Sequence, residues 1–332
     1  MGNEIVKKIV ARNMGGHKDV KITKLSGGLL HEVLLLETND QSKVLKLLNQ
    51  EIMQRDGVFV NFQKADYLEE ILVENNISLV PSLKFNSKKM QEIDGRYYYL
   101  YEYINGTYKQ SKDLNENDVE KIAKILANIH SIKVNDNAEF TSEKNIPKYQ
   151  WGKYIDVIKE KNNDLYLKYI SIIEYLSKVE NEIAAASLDI PEINTICHND
   201  LHVKNVLWEN DKPLIIDLET LSLNNPYIEI FETALYWSGF DEQSIDYNNL
   251  SLFIKHYRDN SSIRWIDFQI IANYISGRFD WLEYNIKRAF ILDVDEKEKE
   301  IGFKEIGETI DKIIYFEKQK TSIVKVFNDG EC

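Results

Sequence analysis

Cysteine is nearly absent from this chain of 332 residues: Cys197 lies in an apolar stretch and Cys332 is the last residue. Two such thiols make no disulfide framework, and they fit a reducing, cytoplasmic compartment. Long apolar runs are also missing. No window approaches the length of about eighteen apolar residues that a membrane span needs, so none is expected. Met1 to Arg12 alternates charged and apolar residues, so a secretory leader is not expected either. Positive charge is in deficit, with 41 Lys and Arg against 54 Asp and Glu and a net charge of −13. That balance argues against general binding to nucleic acid or to an anionic membrane. It suits a cationic small ligand, although many proteins are acidic for solubility alone. Prolines number five and glycines 14, so the chain has few obligatory breaks and no low-complexity tract.

The hydrophobic pattern changes character along the chain. Glu4–Met14 has Ile5, Val6, Ile9 and Val10 at helical spacing. Val20–Leu25, His31–Thr38 and Lys43–Leu48 then read as strands, with Ser26-Gly27-Gly28 between the first two. Phe59–Glu74 reads as a helix with Phe62, Leu68, Ile71 and Leu72 as core candidates, ended by Asn75-Asn76. Leu83–Asn86 and Arg96–Tyr103 read as two more strands. Beyond Asn105-Gly106 helical periodicity dominates: Asn115–Ile132, Tyr154–Lys161, Leu165–Ala186, Pro226–Gly239, Leu250–Arg258, Ile263–Phe290 and Lys297–Lys318. A short β patch, Val206–Trp208 and Leu214–Ile216, interrupts them. A β-rich segment followed by an α-rich one predicts an α+β fold. The expected division is residues 1–105, a nucleotide-binding lobe, and 106–332, a catalytic and substrate-binding lobe.

The chemistry concentrates in Ile196–Glu219, I-C-H-N-D-L-H-V-K-N-V-L-W-E-N-D-K-P-L-I-I-D-L-E. Asp200 is followed by Asn205, then by an apolar hairpin, then by Asp217. Phosphoryl transfer asks little covalent chemistry of a protein. It needs a carboxylate to accept the proton of the attacking hydroxyl and oxygen ligands for a cation bridging the phosphates. Asp200 fits the first role, and Asn205 and Asp217 fit the second for Mg²⁺, which prefers hard oxygen donors. A competing reading makes His198, Asp200 and His202 three alternating ligands of a hydrolytic zinc. It leaves Asn205 and Asp217 unexplained, and His17, His31, His130 and His256 show no metal-site spacing.

The segment resembles the protein-kinase catalytic loop H-R-D-x-x-x-x-N. It is more similar to the aminoglycoside phosphotransferase and choline kinase-like family, whose loop runs H-G-D-x-H-x-x-N followed by I-D. His198, Asp200, His202, Asn205 and Asp217 fall on that pattern, and Asn199 stands where glycine is usual. The resemblance spans Leu25 to Trp237. It implies a bilobal protein kinase-like fold, with a small antiparallel β-rich N-terminal lobe and a larger α-helical C-terminal lobe. It also implies Mg²⁺, with ATP or GTP as phosphoryl donor. By the same resemblance His202 approaches the transferring phosphoryl group.

Upstream parts follow in the expected order. Ser26, Gly27 and Gly28 form the turn that approaches phosphates, and Lys46, in V-L-K-L-L, pairs phosphate oxygens. Asp66 is the helix acid expected to hold Lys46, with Glu69 and Glu70 as alternatives. Glu102 C=O and Ile104 N–H are expected to meet the nucleobase, with Tyr101 controlling pocket depth. A bulky residue there favours guanine in some relatives. The acceptor is expected to be a small hydroxyl-bearing molecule, with aminoglycoside, amino alcohol, sugar, homoserine and macrolide all open. Lining candidates are Trp151–Tyr154, Pro226–Trp237 and Arg278–Arg288. Glu232, Asp280 and Glu283 offer charge to an ammonium, and Trp237, Trp281 and Tyr284 offer a cation–π cage. Monomer and dimer are equally compatible with the sequence. A nucleotide-binding pseudokinase is the main alternative; a protein kinase is disfavoured because D-F-G and A-P-E motifs are missing.

Overall fold

The structure is a computed structural model that describes residues 2–15, 20–25, 31–134, 148–275 and 277–329. Ser26, Gly27, Gly28 and Cys332 lie outside the described residues. The described chain forms two compact units. One draws on Met1–Leu114, Lys124–Phe140 and Thr195–Asn224, the other on Asn115–Ala123, Thr141–Asn194 and Asn225–Cys332. Among the described residues no helix is long and apolar enough to cross a membrane.

The first unit begins with α1 (Gly2–Asn13) and contains strands β1 (Lys21–Lys24), β2 (Glu32–Glu37), β3 (Ser42–Leu47), β4 (Gln91–Ile93) and β5 (Arg96–Glu102). They form one antiparallel sheet in the order β1-β2-β3-β5-β4. Period-two alternation sorts its faces. Leu34, Leu36, Leu45, Leu47, Tyr98 and Leu100 pack against Val6, Ile9, Val10 and Met14 of the α1 segment. Each such fully buried aliphatic side chain contributes about 1.5–3 kcal/mol. On the other face Leu48 and Tyr99 meet Met53, Val58 and Phe62 from α2 (Gln50–Met53) and α3 (Val58–Glu74). Lys46 lies between Leu45 and Leu47, so it points away from α1.

Leu83–Asn86 is not a strand. Ser82 and Phe85 make isolated bridges, and Asn86 and Ser87 take left-handed φ of 50° and 65° in a tight turn. The edge strand that pairs with β5 on the side away from β3 is the polar β4, too short for periodicity to reveal. The same applies to β6 (Thr195–Cys197) and β9 (Ser222–Asn224), which pair with each other. The hairpin of β7 (Val206–Glu209) and β8 (Lys212–Ile215) matches the expected β patch. Val80 N–H donates to Ile215 O (2.9 Å), and Thr107 and Trp208 exchange main-chain hydrogen bonds (2.9 and 2.8 Å). A Cβ on Gly106 would lie 2.6 Å from Leu207 Cγ and 2.9 Å from Trp208 O, so this position after β5 requires glycine.

Helix α4 (Glu116–Ser131) contributes to both units, and the second unit is otherwise helical. It comprises α5 (Ile155–Lys161), α6 (Asn163–Ile170), α7 (Ile173–Ala186), α8 (Pro226–Tyr236), α9 (Tyr247–Asn260), α10 (Gln269–Tyr274), α11 (Gly277–Phe290) and α12 (Glu296–Asp329). Two helices expected to be continuous are broken. Leu165–Ala186 divides at Ser171, whose hydroxyl donates to Lys168 O (2.7 Å) in competition with the helical ladder. Ile263–Phe290 starts late and divides. Trp265 and Phe268 pack on Phe327, Trp265 Nε1 donates to Phe327 O (2.8 Å), and Asp267 caps Gln269 N–H (2.9 Å). Tertiary packing there overrides a helical pattern.

Candidate active site

Everything from His198 to Thr220 is stitched together by hydrogen bonds. His198 is fully buried. Its Nε2 donates to Ile216 O (3.0 Å) and its Nδ1 accepts from Asp200 N–H (3.3 Å). Both ring nitrogens are thus committed to main chain, which removes His198 as a zinc ligand and with it the hydrolase reading. Asn199 has φ of 64°. That left-handed conformation is easiest for glycine and next easiest for Asn, which accounts for the residue found here. Its Nδ2 donates to Cys197 O (3.1 Å), Thr220 O (2.7 Å) and Ser222 Oγ (3.0 Å), and its Oδ1 accepts from Asn224 Nδ2 (2.8 Å). A side chain where glycine is usual therefore braces the loop against β9.

Asp200 and Asn205 are in direct contact. Asn205 Nδ2 donates to Asp200 O and to Asp200 Oδ2, both at 2.8 Å. With its nitrogen so placed, the amide oxygen of Asn205 faces away from Asp200 and is available to a cation. Asp200 Oδ1 takes no hydrogen bond among the described residues, while Oδ2 also lies 3.7 Å from Lys204 Nζ. Lys204 is a neighbour that the motif did not single out. His202 Nδ1 accepts from Lys204 N–H (3.1 Å), capping the short turn Val203–Asn205, and its main-chain N–H donates to Asp200 O (2.8 Å).

Ile216 N–H donates to Asn205 O (3.0 Å), which sets Asp217 next to Asn205 in the fold. Asp217 has φ of 66° and ψ of 52°, a conformation of some strain for a non-glycine residue and typical of functional turns. Its carboxylate pairs with Lys46, and so does that of Glu219. Burial works against the charge of Lys46, but Glu219 and Asp217 more than offset it and raise its pKa above the ordinary lysine value. Burial would likewise raise Glu219, yet Lys46 and His31 hold it down to about 2. His31 Nε2 lies 2.9 Å from Glu219 Oε1.

Lys46 does not pair with the helix acids expected from sequence. Asp66 accepts from Tyr99 Oη (3.0 Å), the cross-strand neighbour of Lys46. Glu69 binds Ser82 and lies 3.1 Å from Lys89 Nζ, and Glu70 pairs with Lys84 (2.8 Å). The two Asp/Glu groups that capture Lys46 are more than 170 residues distant in sequence, which no local pattern discloses. Burial raises Asp66 to about 6. An acid raised in the folded state binds its proton more tightly there, so its contribution to stability is lost as pH rises from about 4 to 6. Asp66→Asn keeps an acceptor for Tyr99. It is expected to stabilise the fold at pH 7 by on the order of 1–2 kcal/mol, after allowance for partial exposure, with the gain vanishing near pH 4. Thermal denaturation at both pH values measures it.

At the end of β5, hydrogen bonds run from Tyr103 N–H to Ser42 O (3.3 Å) and from Leu48 N–H to Tyr97 O (2.9 Å). Lys43 and Glu102 therefore form a non-hydrogen-bonded pair, so the peptide groups of Glu102 point away from β3. Ile104 O accepts from Gly106 N–H (2.9 Å). Tyr101 lies opposite Val44, and burial and the nearby Glu219 raise its hydroxyl well above the ordinary tyrosine value.

In the second unit the acceptor-binding candidates are largely committed elsewhere. Trp237 is fully buried in the core. Trp281 stacks on Tyr284 and donates from Nε1 to Glu305 (3.0 Å). Asp280 accepts from Tyr149 Oη (2.6 Å), and Glu283 accepts from Tyr154 Oη (2.7 Å) and Lys287 Nζ (2.8 Å). Trp151 and Tyr154 belong to an apolar cluster of this unit.

The family model described as the phosphotransferase enzyme family matches residues 21–256. No curated protein matches the chain significantly. Solved structures share its fold. Spectinomycin phosphotransferase, in complex with ADP and spectinomycin, is 14% identical at a TM-score of 0.66, covering 95% of this chain and 98% of its own. Choline kinase from Cryptosporidium parvum is 17% identical at 0.60, covering 98% and 99%. Amicoumacin kinase, in complex with AMP-PNP, Ca²⁺ and Ami, is 13% identical at 0.60, covering 94% and 96%. The antiparallel sheet of the N-terminal region and the helical C-terminal region are those of the protein kinase-like fold. The chain belongs to the phosphotransferase enzyme family, and it is a small-molecule kinase.

Proposed function

We propose that this enzyme moves the γ-phosphoryl group of a nucleoside triphosphate to a hydroxyl of a small amine-bearing molecule, with Mg²⁺ as the metal. The observation that carries the reading is the contact of Asp200 with Asn205 beside Asp217 and Lys46. In it Asp200 is the base. Its unpaired Oδ1 receives the proton of the acceptor hydroxyl, while Asn205 keeps the carboxylate in one orientation. Lys204 lies beside that carboxylate, and Lys204 and His202 would face negative charge developing on the phosphoryl oxygens. Lys46 would meet the phosphates, with Ser26, Gly27 and Gly28 as the turn that covers them.

The donor set suits a hard cation: the Asp217 carboxylate and the Asn205 amide oxygen, with Glu219 close by. These residues would hold Mg²⁺, which would supply positive charge against the phosphates. Glu102 O and Ile104 N–H would serve the base, with Tyr101 behind them, so both ATP and GTP are candidate donors. Asp66 would act on Lys46 only indirectly, through Tyr99. An amine-bearing acceptor fits the net charge of −13, and choline and ethanolamine, named for relatives in fold, are cationic amino alcohols.

A nucleotide that binds only the folded state raises the melting temperature by mass action, about 2.7 kcal/mol at a hundred times its Kd. ATP or GTP with Mg²⁺ is therefore expected to raise Tm, and an amino-alcohol or aminoglycoside acceptor to raise it further. No shift with either nucleotide at millimolar concentration would favour a pseudokinase.

A further inference from the structure

We propose that His31 is a positioning residue of this site, holding the Glu219 carboxylate and thereby Lys46. The proposal rests on the assignment of Asp217 and Lys46 to the metal and the phosphates. His31 directly precedes β2 and is 8% exposed. Both of its ring nitrogens are used. Nδ1 accepts from Asn49 N–H (3.0 Å), at the junction of β3 and α2. The ring proton is therefore on Nε2, which donates to Glu219 Oε1 at 2.9 Å.

The other oxygen of Glu219 pairs with Lys46, whose ammonium is shared with Asp217. Glu219 is thus a buried carboxylate with two partners, one a ring N–H and the other the phosphate-binding lysine. A buried carboxylate that loses one partner draws harder on the one that remains. Without His31, Glu219 would hold Lys46 more strongly against the phosphates. It would also lose the orientation that keeps it beside Asp217. A histidine that merely filled the core would need neither the Asn49 anchor nor an acidic partner at this site.

Three substitutions separate the two hydrogen bonds. His31→Gln can place an amide N–H where Nε2–H lies. His31→Asn can keep the acceptor for Asn49 but is too short to reach Glu219. His31→Phe keeps ring volume and supplies neither. Nucleotide dissociation constants are measured by calorimetry with Mg²⁺ and with a chelator, and the ring tautomer of the ligand-free wild type by ¹⁵N NMR. His31 is expected as the Nε2–H tautomer. Asn and Phe variants are expected to bind Mg²⁺-nucleotide about tenfold more weakly, a size usual for groups that orient metal ligands. Metal-free affinity should fall as well, because Lys46 is drawn away from the phosphates in either case, and Gln should restore most of both losses. An Nδ1–H tautomer, wild-type Mg²⁺-nucleotide affinity in the Phe variant, or a Gln variant as weak as Phe would each overturn the role. If the wild type itself binds no Mg²⁺-nucleotide, the phosphotransfer reading fails first and the positioning role falls with it. Loss of the variant pattern alone overturns only His31. Because the tautomer is read on the wild type, a variant that fails to fold leaves that test standing.

Discussion

Asp200→Asn is expected to lower the rate of phosphoryl transfer by about a hundred- to ten-thousand-fold, the range usual for loss of a general base. Nucleotide affinity should stay close to that of the wild type. The choice of Asn matters. Asp200 Oδ2 and O both accept from Asn205 Nδ2, so alanine would remove the proton acceptor and also release the side chain that orients Asn205. Asparagine keeps an oxygen in place for Asn205 while being unable to take a proton at neutral pH. Steady-state kinetics and calorimetry on the same preparation separate the two quantities. Retention of full activity would remove Asp200 from the chemistry.

Asp217→Asn is expected to weaken Mg²⁺-dependent nucleotide binding by about tenfold or more, because a carboxylate that pairs with Lys46 and follows the Ile216–Asn205 main-chain hydrogen bond is gone. Its effect in chelator should have the opposite sign. Lys46 is paired with Asp217 and Glu219 without ligand, and neutralising one acid leaves the ammonium freer for a phosphate. Equal or tighter metal-free binding together with weaker metal-dependent binding is a signature that general destabilisation cannot produce. Backbone strain does not confuse the comparison, since Asn tolerates the left-handed φ of 66° as well as Asp does. Unchanged affinity with Mg²⁺ would deny Asp217 the ligand role.

The parts visible in the sequence are those whose chemistry demands close spacing. Asp200 and Asn205 share one loop, and a four-residue hairpin arm on each side carries the chain to Asp217, so one local pattern contains all three. Sheet alternation made Lys46 legible, because a lysine between Leu45 and Leu47 must point to the opposite face. What stayed hidden depends on contacts between distant segments. Lys46 meets Glu219, and Glu219 meets His31, across more than 170 residues of chain. No period or spacing distinguishes that geometry from the expected pairing with Asp66. His31, one of six histidines, gave no signal beyond the absence of metal-site spacing. The helix breaks at Ser171 and before Gln269 were hidden for related reasons, since a hydroxyl and a group of aromatic side chains decide them.

The most direct measurement is ³¹P NMR of the wild-type enzyme with ATP or GTP, Mg²⁺ and a panel of amine-bearing alcohols. The expected result is loss of the γ-phosphate resonance matched by a new phosphate monoester, dependent on one acceptor class and absent in Asp200→Asn. Nucleotide bound but never consumed with any acceptor, or γ-phosphate released only as inorganic phosphate, would contradict transfer to a hydroxyl at this site.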